Sequence, residues 1–106
     1  MIKLHFVFCV KYRKKLPKDI LNEDMLEIIL EICEQRSYRV DAMQSDIDHV
    51  HMLVDIDPKV SALKVAHQIK QTSTFRIYKK HKEYLKKHFW KENTFWSDGY
   101  FVCSTG

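Results

Sequence analysis

The sequence predicts an α+β domain in which one antiparallel sheet carries two helices on the same face. Three observations favour this fold class. Two segments, residues 2–10 and 48–56, alternate apolar and polar residues with the period of a β-strand. Two others, near 20–36 and 58–77, repeat apolar residues at helical spacing. With a weaker strand after the first helix and another near the C-terminus, the order is strand, helix, strand, strand, helix, strand.

The first strand and the first helix have the clearest patterns. Apolar residues occupy every even-numbered position from 2 to 10, so this strand has one face for the core. A basic loop containing Pro17 ends the extended run. From about Ile20 to Arg36, apolar residues recur at helical spacing between acidic ones, which predicts an amphipathic helix with an acidic outer face.

A hairpin joins the second and third strands. Residues Tyr38 to Ser45 predict the second strand, and a tight connection from Ser45 to Asp48 leads into the third. Successive side chains of a strand point to opposite faces. One face of the third strand is therefore wholly apolar, and His49 and His51 lie together on the other face. The apolar residues are Val50, Met52, Val54 and Ile56.

The second helix is predicted to begin at Asp57 and Pro58, because aspartate caps helix N-termini and proline suits the first helical position. Its outer face is basic and polar, with Phe75 and Tyr78 as either dimer contacts or stacking platforms for flipped bases. Its inner face carries a stripe of small and apolar residues that suits close packing on a sheet: Ala62, Ala66, Ile69, Ser73 and Ile77.

The C-terminal part of the chain has weaker signals. A charged extension follows the second helix, with a short helix expected around Tyr84 and Leu85. Residues Thr94 to Cys103 return to strand composition, but both alternating sets contain aromatic residues, so the pattern assigns no core face. Gly99 predicts a bulge or a close backbone approach in this strand.

This order of elements is that of the ferredoxin-like βαββαβ fold. Right-handed crossovers place both helices on one face of the antiparallel sheet, which leaves the two histidines on the open face. That face also carries Val7, Cys9 and Leu53, an apolar surface that we expect something to cover. With 106 residues, the chain is expected to form one domain over residues 1–106.

Composition excludes several classes of protein. No apolar run approaches the roughly 20 residues of a membrane-spanning helix, and the first apolar stretch is too short for a signal peptide. We therefore expect a cytoplasmic protein. The three cysteines are odd in number and far apart, which suits neither a disulfide framework nor a zinc cluster.

Charge and histidine placement together indicate a phosphate-containing partner. Between Lys59 and Lys91 lie ten Lys and Arg residues and one acid, a local excess of +9 in a chain of net charge +4. His49 and His51 are about 6.6 Å apart along the strand and can converge on one divalent ion. The adjacent Asp48 and the basic segment favour a metal that faces a phosphate. The alternatives are a solvated histidine pair and a solvated basic helix face.

Several segments together resemble one family. They are the histidine strand with Asp48, the KYRKK segment from Lys11 to Lys15, and FWSDGYFVCSTG from Phe95 to Gly106. In the same order over nearly the whole chain, they resemble the single-tyrosine HUH transposases of the smallest bacterial insertion sequences, the IS200-like transposase A family. The resemblance implies that His49 and His51 hold Mg²⁺ or Mn²⁺ against a scissile phosphate, with Asp48 supporting them.

The resemblance further implies cleavage and rejoining of single-stranded DNA at hairpins that mark the ends of an element. A tyrosine attacks phosphorus to give a 5′-phosphotyrosine intermediate. Family members act as homodimers on these DNA hairpins. The candidate contacts to the DNA backbone are basic residues: Lys11, Arg13, Lys14, Lys64, Lys70, Arg76 and Lys79.

The nucleophile is the point where this sequence departs from the family pattern. The family places its catalytic tyrosine and a further polar metal ligand on a helix after the last strand, where this chain stops at Gly106. We therefore expect a truncated or degenerate copy that binds metal and DNA without cleaving. The tyrosines that do not match the nucleophile, and for which packing or surface roles are expected, are Tyr12, Tyr38, Tyr78, Tyr84 and Tyr100.

Two other functions fit parts of the sequence. A non-catalytic RRM-type nucleic-acid-binding module shares the order of elements, but its third strand should carry a glycine and stacking aromatics. The segment HVHMLVDI has neither. A related HUH protein that acts on dispersed palindromic repeats fits the same residues as the transposase.

Overall fold

The structure is a computed structural model that describes residues 1–89 and 94–105. A short 3₁₀ turn follows the first strand and a π-helical segment, Asp19–Met25, precedes the first α-helix. The strands and α-helices of the described ranges are, in chain order, β1 (Ile2–Cys9), α1 (Leu26–Gln35), β2 (Arg39–Ser45), β3 (His49–Ile56), α2 (Ala62–Lys80), α3 (Lys82–His88) and β4 (Phe101–Thr105).

The four strands form one sheet in the order β2-β3-β1-β4, and each neighbouring pair is antiparallel. The predicted ferredoxin-like βαββαβ fold is therefore confirmed. The central pair is β1 and β3, which align over their full length from Ile2 opposite Ile56 to Cys9 opposite His49. This pairing places the two strands with the clearest alternation in the middle of the sheet.

The core lies between the sheet and the helices. The predicted core face of β3 is confirmed, because its four apolar residues are at most 1% exposed. From Leu4 to Val10 the even-numbered residues of the first strand are buried with them, and Ile29, Ile32, Val65 and Ile69 complete the layer from α1 and α2. Odd-numbered residues of β1 and β3 are half-buried on the opposite face.

The first helix differs from the continuous helix predicted over residues 20–36. Its first part is π-helical, and α1 begins only at Leu26. A π-helix closes i→i+5 hydrogen bonds, so residues five apart lie on one face. Ile20 and Met25 have this spacing, and both are fully packed in the core. The helix ends where Ser37 takes a left-handed φ of 61° and Tyr38 N–H donates to Cys33 O, as in a Schellman motif.

The second helix does not begin at Asp57 and Pro58, so that prediction was wrong. Ser61 is the N-cap, and its hydroxyl accepts a hydrogen bond of 3.0 Å from Lys64 N. Asp57 instead opens a turn, with its carbonyl accepting from Val60 N and its carboxylate from Lys59 N. Asp and Pro also favour the first two positions of a β-turn, so the sequence signal fits both structures.

The predicted C-terminal strand is shorter than the pattern indicated. β4 begins at Phe101, whereas Phe95 and Trp96 are buried before it and Trp96 makes only an isolated bridge to Val10. Gly99 has a φ of 77°, and a Cβ there would meet no atom within 4 Å, so backbone conformation rather than close approach explains this glycine. Val102 packs against the core, which settles the face that the sequence left open.

The short helix expected around Tyr84 and Leu85 is confirmed as α3, in which Leu85 is buried. Gly106, the last residue of the C-terminal motif, lies outside the described residues. Within the described ranges, no helix combines the length and apolar character needed to cross a membrane.

Replacing Ser73 with Ala is expected to destabilise the domain by about 1–3 kcal/mol. The fully buried Ser73 hydroxyl accepts a 3.0 Å hydrogen bond from the Trp96 indole N–H and holds that ring against α2. Removing the hydroxyl leaves the indole donor unsatisfied in the core. The measurement is the free energy of unfolding in urea, without metal.

Thr72→Ala is the matched control, because Thr72 precedes Ser73 on α2 and makes no side-chain hydrogen bond in the described part of the chain. Its effect should stay within about 0.5 kcal/mol. Equal effects of the two substitutions would contradict the role of Ser73.

Candidate metal and nucleic-acid site

The two histidines of β3 lie side by side on the open face. Their ring centroids are 4.6 Å apart and the rings meet edge to face at 73°. The register fixes their neighbours, because His49 lies opposite Cys9 and His51 opposite Val7 on β1. Both imidazoles are half-buried, so they are partly desolvated and still accessible from the open side. Such a pair is close enough to bind one divalent ion.

Asp48 holds the ring of His49. Its Oδ1 lies 2.9 Å from His49 Nδ1, and its Oδ2 lies 3.4 Å from Arg13 Nε. The hydrogen bond to His49 is the main reason that the pKa of Asp48 is below its usual value, and the positive charge of Arg13 adds to it. Because Nδ1 of His49 is engaged, Nε2 is the nitrogen available to a metal.

His51 has a different partner. Its Nδ1 lies 3.3 Å from Nε2 of His5, a residue of β1 that the sequence analysis did not single out. Burial lowers the pKa of His51, and the neighbouring imidazoles of His49 and His5 lower it further. The neutral form, which is the form that binds metals, is therefore favoured. His5 could be found by its odd position in the first strand, but its proximity to His51 depends on the register.

A carboxylate outside the predicted set also faces the pair. Asp46 lies in the turn between β2 and β3, where its Oδ1 accepts from Ile47 N and its Oδ2 is 3.7 Å from His49 Nε2. Within the described ranges, no three His, Cys, Asp or Glu side chains are arranged to hold an ion together. The donors present are thus two imidazole nitrogens with a carboxylate nearby. Imidazole is a softer donor than the oxygen ligands that Mg²⁺ prefers, so the pair fits Mn²⁺ better.

The predicted DNA contacts do not form one cluster. Lys11, Arg13 and Lys14 lie in or next to the turn after β1, close to the histidine end of the sheet, where Arg13 pairs with Asp48. Lys64 is an exposed residue in the first turn of α2. Lys79 lies near the end of the same helix, with its ammonium 5.3 Å from the ring centroid of Phe75.

Two further predicted DNA contacts are also engaged within the domain. The Lys70 ammonium donates to the carbonyls of Ser97 and Gly99 at 2.7 Å each, and burial lowers its pKa. The Arg76 guanidinium donates to Gln35 at the end of α1. Lys70 therefore holds the segment before β4 against α2, and Arg76 joins the two helices.

A groove of about 780 Å³ lies between α2, α3 and the segment before β4. Phe75 projects into it with 65% of its surface exposed, as predicted for the outer face of the helix. Tyr78 is partly buried instead, and its hydroxyl donates to Thr94 O at 2.7 Å. Lysines from both helices line the groove, namely Lys70, Lys79, Lys82 and Lys86. An aromatic ring among cations suits a nucleic acid.

All five tyrosines make packing, hydrogen-bonding or cation–π contacts, and the ring centroid of Tyr12 lies 5.5 Å from the Lys11 ammonium. Tyr38 donates from its hydroxyl to Gln68, and Tyr78 donates to Thr94 as described. Tyr84 packs on His88, and Tyr100 packs on the core rings of β1. Tyr12 is 61% exposed in the turn after β1, with a left-handed φ of 62°.

The sequence of this chain matches a family described as "Transposase IS200 like" over residues 1–106. The chain belongs to this family of transposases. Family membership favours the transposase prediction over the RRM-type module, because the two proteins share only the order of helices and strands. Transposases are DNA-processing proteins, and this chain is a member of that class.

Individual relatives agree with the family match. The transposase for insertion sequence element IS200 of Salmonella typhimurium is 29% identical over 104 residues, which are 98% of this chain and 67% of that protein. A crystal structure of a proposed transposase from Deinococcus radiodurans R1 superposes with a TM-score of 0.88 at 22% identity, covering 99% of this chain and 79% of the other.

A more distant structure shares the fold alone. It is the REP-associated tyrosine transposase bound to a REP hairpin, with a TM-score of 0.68 and 11% identity. The superposition covers 99% of this chain and 56% of that protein. The ferredoxin-like core is thus common to transposases of quite different length.

In an Asp48→Asn variant, the free energy of unfolding is expected to decrease less than in the wild type as the pH falls. The pKa of Asp48 is lowered in the folded state. Its carboxylate therefore stabilises the fold above the unfolded-state pKa of about 3.9, and this contribution disappears as the pH falls through the lower folded-state pKa. Urea unfolding from neutral pH to about pH 2, without metal, should show a shallower decline for the variant than for the wild type.

Glu23→Gln is the control, because Glu23 is exposed and makes no ion pair or side-chain hydrogen bond in the described residues. Its acid profile should follow that of the wild type. An identical decline for Asp48→Asn and the wild type would contradict the hydrogen bond between Asp48 and His49.

Proposed function

We propose that this domain binds a divalent ion, Mn²⁺ or Mg²⁺, through His49 and His51 and uses it on single-stranded DNA next to a hairpin, in HUH-type transposition. The observation that carries the proposal is the pairing of the two imidazoles on the open face with both Nδ1 atoms already engaged. Each ring therefore has its Nε2 available to one ion. Membership of a transposase family supports a DNA phosphodiester as the substrate.

Each protein group in the site has a separate task. When bound, the ion supplies positive charge that polarises the scissile phosphate. Asp48 keeps His49 in the tautomer that presents Nε2, and Arg13 keeps Asp48 ionised and in place. The half-buried position of the pair removes part of the surrounding water, which strengthens the attraction between the site and a phosphate.

The nucleophile of the complete enzyme is proposed to be a tyrosine outside the residues described, on a helix that follows the last strand in this family. Attack on phosphorus joins the tyrosine oxygen to the 5′-phosphate and releases the 3′-oxygen as a free hydroxyl, so the phosphodiester energy is retained for rejoining. The five tyrosines in residues 1–106 are all in contacts within the domain, Tyr12 with the Lys11 ammonium among them, and none matches the position of the family's nucleophile. These 106 residues alone are therefore proposed to bind DNA and metal without cleaving.

The hairpin is proposed to bind in the groove beside α2. Sequence-independent attraction to the phosphates would come from Lys79, Lys82 and Lys86. Phe75 would stack on an unpaired base. A homodimer, the assembly implied by the family resemblance, would bind two such hairpins. The alternative substrate is a dispersed palindromic repeat. The observation on its side is that the distant structure was determined with a REP hairpin bound. Comparing the two kinds of hairpin in one assay separates these substrates.

His49→Ala and His51→Ala are each expected to weaken Mn²⁺ binding by more than about 10-fold, since each removes one of two nitrogen ligands. Titration calorimetry on residues 1–106 measures the affinity, and Mg²⁺ is expected to bind more weakly. His88→Ala is the control, because His88 packs on Tyr84 in α3 on the helix side of the sheet. Unchanged Mn²⁺ affinity in both β3 variants would contradict the proposed site.

Phe75→Ala is expected to weaken binding of a hairpin with one unpaired base by about 10-fold, because base stacking on an aromatic ring contributes about 1–3 kcal/mol. Lys79→Ala should lower the slope of log affinity against log salt by about 1. Fluorescence anisotropy with labelled hairpins measures both quantities.

Phe101→Ala is the matched control, since Phe101 is 61% exposed on β4. A loss of hairpin affinity with Phe101→Ala and none with Phe75→Ala would indicate binding on the sheet. That result would contradict the proposal that the hairpin binds in the groove. The same DNA, incubated with Mn²⁺ and carrying a flanking single strand, should give no covalent protein-DNA adduct. An adduct would show that the nucleophile lies within residues 1–106 and would contradict this part of the proposal.

A further inference from the structure

His5 lies beside the proposed metal ligands without belonging to the histidine pair. It occupies β1, where its direct neighbours are Leu53 on β3 and Cys103 on β4. His51 is two residues before Leu53, so His5 and His51 are diagonal neighbours on the open face. Diagonal pairs across an antiparallel ladder are within reach of long or aromatic side chains. The central register of the sheet therefore brings a third imidazole to the site.

The geometry of the two rings is that of a hydrogen bond. His51 Nδ1 and His5 Nε2 are 3.3 Å apart, the ring centroids are 5.4 Å apart, and the planes differ by 20°. The centroid separation is close to the N···N distance plus one ring radius on either side. Rings stacked face to face at van der Waals separation would hold these two nitrogens farther apart, so the contact joins the edges of the rings. The two nitrogens are therefore placed for a hydrogen bond, in which the donor is set by the tautomers of the two rings.

We infer that His5 is a positioning residue that accepts a hydrogen bond from His51 Nδ1–H and so fixes His51 with its Nε2 toward the metal. This inference rests on the proposed function. A neutral imidazole carries one proton, so a ring that gives its Nε2 lone pair to an ion keeps its proton on Nδ1. That proton needs an acceptor, and His5 Nε2 is the atom placed to receive it.

The two ligands then have equivalent supports of different chemistry. His49 donates from Nδ1 to the carboxylate of Asp48, and His51 donates from Nδ1 to the imidazole of His5. An acceptor behind a ligating histidine fixes its tautomer and orientation and raises its basicity. The charge of Asp48 is confined to one ligand, whereas His5 supports the other without adding negative charge beside a phosphate. Loss of such a partner typically costs 10- to 100-fold in metal affinity.

Replacing His5 with Phe removes the acceptor and keeps an aromatic ring of similar size. In the metal-free protein, long-range ¹H–¹⁵N spectra of the imidazoles should show His51 protonated at Nδ1 in the wild type. In His5→Phe the population protonated at Nε2 should rise. A purely structural role for His5 would leave the tautomer of His51 unchanged, and that result would overturn the inference.

Manganese affinity is the second measurement on the same variants. His5→Phe is expected to bind Mn²⁺ about 10-fold or more weakly than the wild type. His5→Gln, whose amide oxygen can accept the hydrogen bond, should recover most of this loss. His88→Phe is the matched control and should bind as the wild type does, because it keeps a ring beside Tyr84. Thermal unfolding of each variant checks that the fold is retained.

The outcomes separate the inference from the function on which it rests. If His5→Phe binds Mn²⁺ as tightly as the wild type and only His49→Ala and His51→Ala lose affinity, the role of His5 is overturned. The proposed metal site is then still supported. No Mn²⁺ binding by the wild type overturns the proposed metal site and the positioning role with it. A loss in His5→Phe that His5→Gln restores supports both.

Discussion

The antiparallel register between β1 and β3 is the constraint on which the rest of the structure depends. It places Cys9 opposite His49 and Val7 opposite His51, with Phe8 and Val50 on the reverse face. A slip of one residue would exchange the two faces of a strand. It would then turn the imidazoles of β3 into the core and expose the apolar residues between them. Burial of those apolar residues thus fixes the position of the histidines.

The same strand pair explains why the polar face is ordered. The hydrogen bond from Val10 N to Asp48 O, at 2.8 Å, continues the pairing beyond the strand ends. It holds Asp48 beside the turn that carries Arg13. The carboxylate therefore contacts His49 on one side and the guanidinium on the other. A half-buried carboxylate with two such partners keeps its charge, and an ionised Asp48 is the stronger acceptor for the His49 N–H.

Sequence patterns predicted the parts of the structure that depend on local periodicity. Alternation assigned both faces of β3, and the order of elements gave the sheet. The start of α2 was misassigned because an aspartate before a proline favours a turn as well as a cap, and Ser61 is an equally good N-cap by local preference. The partner of His51 was missed because His5 lies 46 residues away and register is not encoded locally. Lys70 was assigned to DNA because its carbonyl partners lie in a segment without periodicity.

The turn after β1 connects the two proposed binding surfaces. Lys11 N donates to Phe95 O, and Ser97 N donates to Cys9 O, so this turn is bonded to the segment that forms one wall of the groove. The other side of the turn reaches Asp48 through Arg13. In the proposed complex, this basic turn lies between DNA held in the groove on the helix side and a single strand at the histidines on the open face. The cations of the turn are thus best placed to guide the strand between the two surfaces, rather than to bind the hairpin itself.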